Sequence, residues 1–510
     1  MNGTFSPSMT LRLCCLGTVL ALHAASSFAQ TASPPSDAAV TSAQMQEKLQ
    51  KLSAELTAAQ QRLQDSQKEI QRLQEELSAL QAQFPASAPS SSVAPAPPAA
   101  ISPVAAPTES EKVDILEAQV KQHEQSKVES VSKYPVRLTG LVLFNTFINS
   151  GNVDNIDLPS IASQPVAGTS TLTTGASVRQ TILGVQVTGP HLFGARSSGE
   201  VNMDFYGGIP YSNYGTVAGI VRMRTAAARL TWDRDTVEVA FTDPLISPLS
   251  PTSYASVAEP SLAWAGNLWT WAPQASYQHR FGNAASPHLA WQAGFWDPPP
   301  AGYNADALFR SASSGERSGQ PAYESRISFA RDARPDGLQL GLGGYYSRQS
   351  YTGRSGDSWA VTADWRVPAG KVFELSGEAY RGRAIGGLGG GVYKDIVSGT
   401  DPVTGVATFR LLNAAGGWTQ AKFRFSPTVE ANTAIGLDDG FAGDFHAIVL
   451  APGGGNTSLR ARNRMVTANL IFSPKTYLIL SPEYRRIWTW PINSTRSTAD
   501  IFTLTFGLRF

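Results

Sequence analysis

Charge is scarce in this chain. Only 16% of its 510 residues are Asp, Glu, Lys or Arg, against about a quarter in average soluble domains. Cysteine is nearly absent, Cys14 and Cys15 being the only two. Long apolar runs are missing too, apart from a short one near the N-terminus, and mean hydropathy is −0.15. A polytopic helical membrane protein is thereby excluded, because each span needs ~20 consecutive apolar residues. A disulfide-stapled secreted domain and a plain cytosolic enzyme fit poorly. With 42% hydrophobic residues and no long run, the apolar residues must be diluted by alternation, as in a large β-barrel.

The N-terminal run is a leader. Arg12 precedes Leu13–Leu22, and small residues follow up to Ser27-Phe28-Ala29. This order of charged, apolar and small-residue regions predicts a signal peptide over 1–29. An uncleaved anchor helix is the alternative, for which the run is short. Both cysteines lie at the start of the run, not behind it as a lipoprotein requires. The mature chain then has no disulfide, thiol nucleophile or thiolate metal site. Without Arg12 the 41 basic residues become 40, equal to the 40 acidic ones. Nucleic acid therefore finds no bulk attraction and is not expected as a partner.

Residues 43–84 carry a different period. Met45, Leu49, Leu52, Leu56, Ala59, Leu63, Ser66, Ile70, Leu73, Leu77, Leu80 and Phe84 follow one another at intervals of four and three. All but Ser66 are apolar, which predicts a left-handed α-helical coiled coil and hence self-association. Leucine at most seam positions does not select a strand count. Residues 85–108 are rich in Pro, Ala and Ser and read as an extended linker. A short helix is expected over 109–130.

From Val136 to Phe510 the period becomes two. Val201, Met203 and Phe205 alternate with Glu200, Asn202 and Asp204; Trp359, Val361, Ala363 and Trp365 alternate with Thr362, Asp364 and Arg366; Ala421, Phe423 and Phe425 alternate with Gln420, Lys422 and Arg424. Charges facing a dry interior would be costly to bury, whereas a water-filled lumen removes that cost. Short turns are predicted at Pro190–Gly194, Asp233–Asp235, Gly282–Ala284, Asp332–Gly337, Pro368–Gly370, Pro427–Thr428 and Ser473–Lys475. Seven turns cut the region into eight units, each expected to hold two strands around one long loop. Long loops stand out at Gly151–Gly175, Asp243–Trp271, Pro298–Gly319, Ile385–Gly416 and Asp439–Thr457. The fold class is thus an all-β transmembrane barrel of about 16 antiparallel strands over 136–510, preceded by the coiled coil. The phase is lost at Ala226–Ala228, and Leu138–Ile148 is apolar on both faces.

The last strand alternates Phe502, Leu504, Phe506, Leu508 and Phe510 with Thr503, Thr505, Gly507 and Arg509. Such an aromatic closing strand resembles the address of outer-membrane barrels, which implies the barrel-assembly machinery as a partner through Phe510. With leader, coiled coil, Pro-rich linker and sixteen strands in this order, the chain resembles the DcaP-like trimeric outer-membrane porins. Local carriers are Thr181-Ile182-Leu183-Gly184 through Gly189-Pro190, Gly199–Gly208 (GEVNMDFYGG), Asp243–Pro251 (DPLISPLSP), Ser376–Gly382 (SGEAYRG) and Gly416-Gly417-Trp418. The resemblance implies a homotrimer in the bacterial outer membrane, its outer wall in lipid and its coiled coil in the periplasm. It also implies passive uptake of small anionic, dicarboxylate-like solutes.

Residues 136–510 hold 27 Arg and 4 Lys against 27 acids. Arginine grips carboxylate or phosphate with two bonds, and a row of it in a narrow passage makes an anion-favouring field. Arg222, Arg224, Arg280, Arg326, Arg366, Arg424, Arg485 and Arg509 fall on the lumen phase. So do Glu200, Asp204, Glu324, Asp364, Glu378 and Glu483, and the alternative is that arginines and acids pair and stiffen the wall. Asp243–Trp271 is the expected constriction loop. Its Trp264, Trp269 and Trp271 suit a stacking track for sugar rings, or else an aromatic girdle or subunit contact. No G-x-S-x-G, H-E-x-x-H or P-loop is present, so no enzyme is expected. Neither a cofactor nor a metal is assigned, although Asp154, Asp157, Asp438, Asp439 and Asp444 are of a type that binds Ca²⁺. A sugar-selective porin and a non-channel tethering or adhesive barrel are the other readings.

Overall fold

The computed structural model describes residues 134–510, apart from 210–218, 299–300, 302–310, 335, 352–353, 401–403, 405, 450–458 and 493. The leader, coiled coil, linker and short helix expected over 1–130 lie outside the described residues.

Sixteen antiparallel strands form the wall. They are β1 (Val136–Ser150), β2 (Leu172–Ser177, resuming as Ile182–Leu192), β3 (Ala195–Asp204), β4 (Arg222–Thr231), β5 (Asp235–Thr242), β6 (Ala272–Phe281), β7 (His288–Trp296) and β8 (Ala322–Ala330). The circuit continues with β9 (Gln339–Tyr351), β10 (Arg354–Ala369), β11 (Phe373–Arg383), β12 (Asn413–Ser426), β13 (Val429–Gly440), β14 (Arg460–Phe472), β15 (Leu478–Pro491) and β16 (Ser497–Arg509). Each strand pairs with its neighbours in the chain, and β1 pairs with β16 from Leu141↔Arg509 to Ser150↔Asp500. The sheet is therefore closed and has no edge. Phe510 seals the seam: it exchanges two backbone hydrogen bonds with Gly140, 2.9 and 3.0 Å. Its ring occupies the space where a side chain at position 140 would lie.

All seven expected turns fall between strands at one end of the barrel. At the other end two of the eight units depart from expectation. β9 and β10 are separated by two residues, and β15 and β16 by five, so neither unit has a long loop. The phase lost at Ala226–Ala228 has a physical cause. Met203 pairs with Met223 but Asn202 pairs with Thr225, which makes Arg224 the extra residue of a β-bulge. Arg222 and Arg224 both turn inward, and beyond them the alternation resumes with opposite parity. The double apolarity of β1 has a cause as well. Leu143 and Phe147 point inward and are buried, with the Phe147 ring resting on Gly175 of β2.

The two faces of the wall are chemically reversed relative to a water-soluble barrel. Outward residues such as Phe144, Val239, Phe295, Leu342, Val361 and Phe502 are exposed, while inward Asn145, Gln274, Gln349 and Asn463 are buried. An apolar face this extensive far exceeds what a soluble monomer presents to water.

Candidate functional site

The segment Asp243–Trp271 leaves β5 and folds inside the barrel. Pro244, Pro248 and Pro251 have no N–H to satisfy, but the remaining donors need partners, and the wall provides them. The Leu245 N–H donates to Glu324 on β8 at 2.6 Å, and the Thr362 hydroxyl on β10 donates to the Ile246 carbonyl at 2.7 Å. The Ser247 hydroxyl and the Leu249 N–H (2.7 Å) both donate to Glu378 on β11. Thr252 bonds Gln420 on β12 through its N–H (2.7 Å) and accepts from Asn469 on β14 at 2.8 Å. Ser253 donates to Glu483 on β15. Gln180, in the break of β2, donates to the Ala255 carbonyl at 2.9 Å and accepts from the N–H groups of Val257 and Ala258. Finally Arg224 and Arg222 on β4 donate to the carbonyls of Val257 and Ala258.

These sockets occur in the order β8, β10, β11, β12, β14, β15, β2, β4, which is the order of strands round the wall. The first limb is therefore a hoop laid against the lumen surface. The return limb, 259–271, presses on the wall where glycine permits it. A Cβ at Gly436 would lie 2.0 Å from the Ala265 carbonyl oxygen, and Gly266, at φ 103°, approaches the Gly417 carbonyl oxygen. Ile246, Leu249, Leu262 and Leu268 bury their side chains among wall residues that include Trp296, Tyr345, Tyr380 and Trp418. The DPLISPLSP and SGEAYRG motifs thus meet through Ser247, Leu249 and Glu378.

The expected lumen charges are distributed unevenly. Asp204, Glu324, Asp364, Glu378 and Glu483 are all at most 4% exposed. Three of them hold the loop, and the others hold arginine. Asp364 takes both prongs of Arg326 at 2.9 and 2.7 Å, and Asp204 takes Arg222 at 2.8 and 3.0 Å with Arg224 at 3.8 Å. Glu483 also receives Arg485, which donates to the Pro159 carbonyl as well. Glu200 binds Arg229, not one of the expected residues, at 2.9 Å. Arg424 reaches Glu374 at 2.8 Å. Arg280 donates to the Asp233 carbonyl at the turn end, and Arg509 donates to the Tyr254 hydroxyl of the loop at 2.8 Å. Arg366 lies on the inward phase of β10 beside these groups.

Water-facing cationic surface remains. The Arg222 and Arg424 side chains are 27% and 31% exposed; Asp204 and Glu374 are nearly fully covered, whereas Glu430, 3.7 Å from Arg424, is 23% exposed.

Trp264, Trp269 and Trp271 lie inside the barrel and form a ladder. Trp264 meets Trp269 edge-on with centroids 5.4 Å apart, and Trp269 meets Trp271 at the same spacing. Tyr393, from the loop between β11 and β12, extends it at 4.4 Å from Trp264. The other end is capped by cations, Arg224 lying 4.7 Å and Arg222 5.4 Å from the Trp271 ring. Trp271 donates to Asp243 at 2.8 Å and so ties the loop's two ends together. Burial, with repulsion from Asp154, raises the carboxyl of Glu259 to about 7 against the opposing pull of Arg222.

Sequence reasoning missed the neutral sockets Gln180, Thr362, Asn463 and Asn469, the extension by Tyr393, and Glu259. For Asn463, which donates to the Ser160 and Trp264 carbonyls, and for Asn469, an amide on the inward phase is the only local sign, and nothing local marks the rest. Among the described residues no three His, Asp or Glu side chains converge as metal ligands. The acids considered for Ca²⁺ serve loop structure, as where Asp438 accepts from the N–H groups of Gly391 and Val392.

No family model and no curated protein matches the sequence. Among solved structures, the crystal structure of the outer membrane channel DcaP of Acinetobacter baumannii superimposes with a TM-score of 0.56 at 14% identity, covering 74% of this chain and 99% of that one. The barrel has the DcaP fold. An anion-selective porin from Comamonas acidovorans, covered over its whole length, gives 0.46 at 12% identity, and Salmonella typhi OmpF gives 0.46 at 10%. The expected DcaP-like sixteen-stranded architecture is therefore present, at an identity that shows fold alone.

Proposed function

We propose that this chain is an outer-membrane porin, a passive channel for small polar, anionic, dicarboxylate-like solutes. One observation carries the anionic part. Along the hoop, the wall acids are consumed by loop donors and by arginine, while the cationic end of Arg222 keeps contact with the lumen. A solute passing there meets net positive potential in a confined, low-dielectric passage. The apolar outer face supports residence in lipid, and the long-loop end would then face outward, as in barrels of this class. Reversal potential across a planar bilayer in a KCl gradient tests the proposal. Anion preference is expected, falling on Arg222→Ala with Arg224→Ala; a cation-selective pore overturns it.

The aromatic ladder favours a second reading, a sugar-selective porin. Current block by sugars without block by dicarboxylates would select it. A barrel that conducts nothing would instead favour a tethering or adhesive role for the coiled coil.

We also propose a homotrimer, on the resemblance and on the heptads of residues 43–84. The outer face of β2–β5 suits wall-to-wall contact, because away from Asp235 at the turn end its outward residues, among them Val185, Val201, Met223, Ala226 and Val239, carry no charge. Mass measurement of the full-length protein in detergent checks this, and a monomer or dimer overturns it.

A further inference from the structure

Beyond β1 from that neutral face, the outer wall of β13–β16 is built differently. At its long-loop end, four arginines point away from the lumen around two tryptophans. Arg464 and Arg486 each lie 5.3 Å from the Trp488 ring, and Arg462 and Arg496 lie 6.0 and 5.8 Å from the Trp490 ring. Strand register fixes this arrangement, since Arg464 pairs across with Trp488 and Arg462 with Trp490. Two acids share the patch: Asp439 binds Arg462 at 2.7 Å and Asp500 lies 3.4 Å from Arg486. Arg464 and Arg496 have no ion pair among the described residues. Two positive charges are left over, on a face whose central part is hydrocarbon-like.

Directly below, on the same strands and on β1, the wall is hollowed. A groove of about 850 Å³ is lined by Ala431, Thr433, Ala468, Leu470, Pro482 and Leu504, among others. Its hollow comes from small side chains flanked by larger ones such as Phe502 and Tyr484. A bulky ligand with an anionic end above and hydrocarbon below would match both parts at once.

We propose that the outer face of β13–β16 is a binding site for a phosphorylated lipid of the outer leaflet. Its phosphates would lie on the arginine–tryptophan cluster and an acyl chain in the groove. The inference rests on the reading of the barrel as membrane-inserted with its long loops outward. Tryptophan beside each guanidinium steadies it, and the N–H groups of Arg464 and Arg496, which have no ion pair among the described residues, are left for bidentate phosphate binding. Tryptophan at the interface between hydrocarbon and headgroups places the cluster at the right depth. A neighbouring barrel is the less suitable occupant, because in a homotrimer this face would meet a different, uncharged stretch of wall, which offers the two unpaired arginines no compensating acid.

The test uses full-length protein in detergent, titrated with bisphosphorylated lipid A, with its dephosphorylated form, and with phosphatidylcholine, the bound lipid being counted by native mass spectrometry. Preference for the bisphosphorylated form is expected. Substituting Arg462→Gln, Arg464→Gln, Arg486→Gln and Arg496→Gln together should weaken that binding by roughly tenfold or more, as the loss of charge-assisted bonds requires. Ala468→Phe, which fills the groove but keeps the arginines, should weaken it less. Equal binding of phosphorylated and dephosphorylated lipid overturns the proposal. So does a quadruple variant that binds lipid A normally but loses its oligomeric state, since the face would then be a subunit contact. Bilayer conductance of the same variants should be unchanged. A wild-type protein that binds lipid A but does not conduct would count against the channel reading alone.

Discussion

Arg485 and Arg486 are adjacent in the chain and live in different solvents. Arg485 points inward, is 3% exposed, and is held by Glu483, the Pro159 carbonyl and Ser256. Arg486 points outward, lies against Trp488 and faces Asp500 at 3.4 Å. One step along a strand reverses the face, so the same side chain is a structural strut on one side and a ligand for the bilayer surface on the other. The inner arginine can be charged only because a carboxylate, a carbonyl and a hydroxyl replace its water. The outer one keeps partial hydration and is steadied by an aromatic ring. Abundance of arginine in such a barrel therefore says little until parity is known.

The largest effect should come from breaking the inner member. Arg485→Ala leaves Glu483 buried without its cation and removes a support of Pro159 and Ser256. Breaking such a buried pair costs about 3–5 kcal/mol, which should appear as a large drop in the thermal midpoint of the detergent-solubilised barrel. Arg486→Ala should cost about 0–1 kcal/mol, as for exposed pairs. Equal losses would mean that the two arginines are not differently solvated.

A smaller effect is expected where the hoop is pinned. Glu378 accepts from both the Ser247 hydroxyl and the Leu249 N–H, and hydrogen bonds of this kind contribute about 0.5–1.5 kcal/mol each. Glu378→Ala should let that part of the loop leave the wall while the sixteen strands persist. Single-channel recordings should then show more frequent transitions between conductance levels than wild type. Unchanged traces would show that the remaining sockets hold the loop alone.

How much of this was legible beforehand follows from the range of each determinant. Turns are local, so Pro190–Gly194 or Pro427–Thr428 announce themselves, and with them the strand count. Parity is local too, which is why Arg326, Arg424 and Arg485 could be assigned to the lumen. A bulge breaks parity, and nothing in the stretch Arg222–Ala228 declares that Arg224 is the extra residue. The two short connections after β9 and β15 were equally invisible to a rule of two strands per long loop. Partnership is non-local: Ser247 lies 131 residues from Glu378 and Ser253 lies 230 from Glu483, brought together only once the sheet closes. That the loop would be a hoop, and that its sockets would include uncharged Gln180 and Asn469, depends on this closure.

At the seam between first and last strands, Phe510 tests how closure begins. Its ring covers Gly140 and its backbone bonds that residue twice. Phe510→Ala should lower the yield of heat-modifiable barrel in the membrane while leaving pore conductance of the survivors unchanged. Gly140→Val should act in the same direction, because the ring and the new side chain would compete for one space. Equal yields for both variants and parent would refute a role for this residue in assembly.

The finest test concerns pH, and it asks whether the inner surface behaves as a fixed positive lining. Glu259 opens the return limb near Arg222, with its carboxyl raised to about 7, first by burial and then by Asp154. Being raised, it is mostly neutral at pH 6 and mostly charged at pH 8. The added negative charge at high pH offsets Arg222, so anion preference should fall as pH rises through 7. Lys394, lowered to about 7 by burial, loses its positive charge over the same interval and acts in the same direction. A unit charge ~8 Å from the ion path is worth about 0.5 kcal/mol at the dielectric of water, which sets the expected change in permeability ratio at about twofold. Glu259→Gln should remove the share of that dependence due to Glu259 and leave the shallower slope that Lys394 contributes. If the ratio instead rises with pH in the parent, or if Glu259→Gln leaves the slope intact, Glu259 does not govern the field along the hoop.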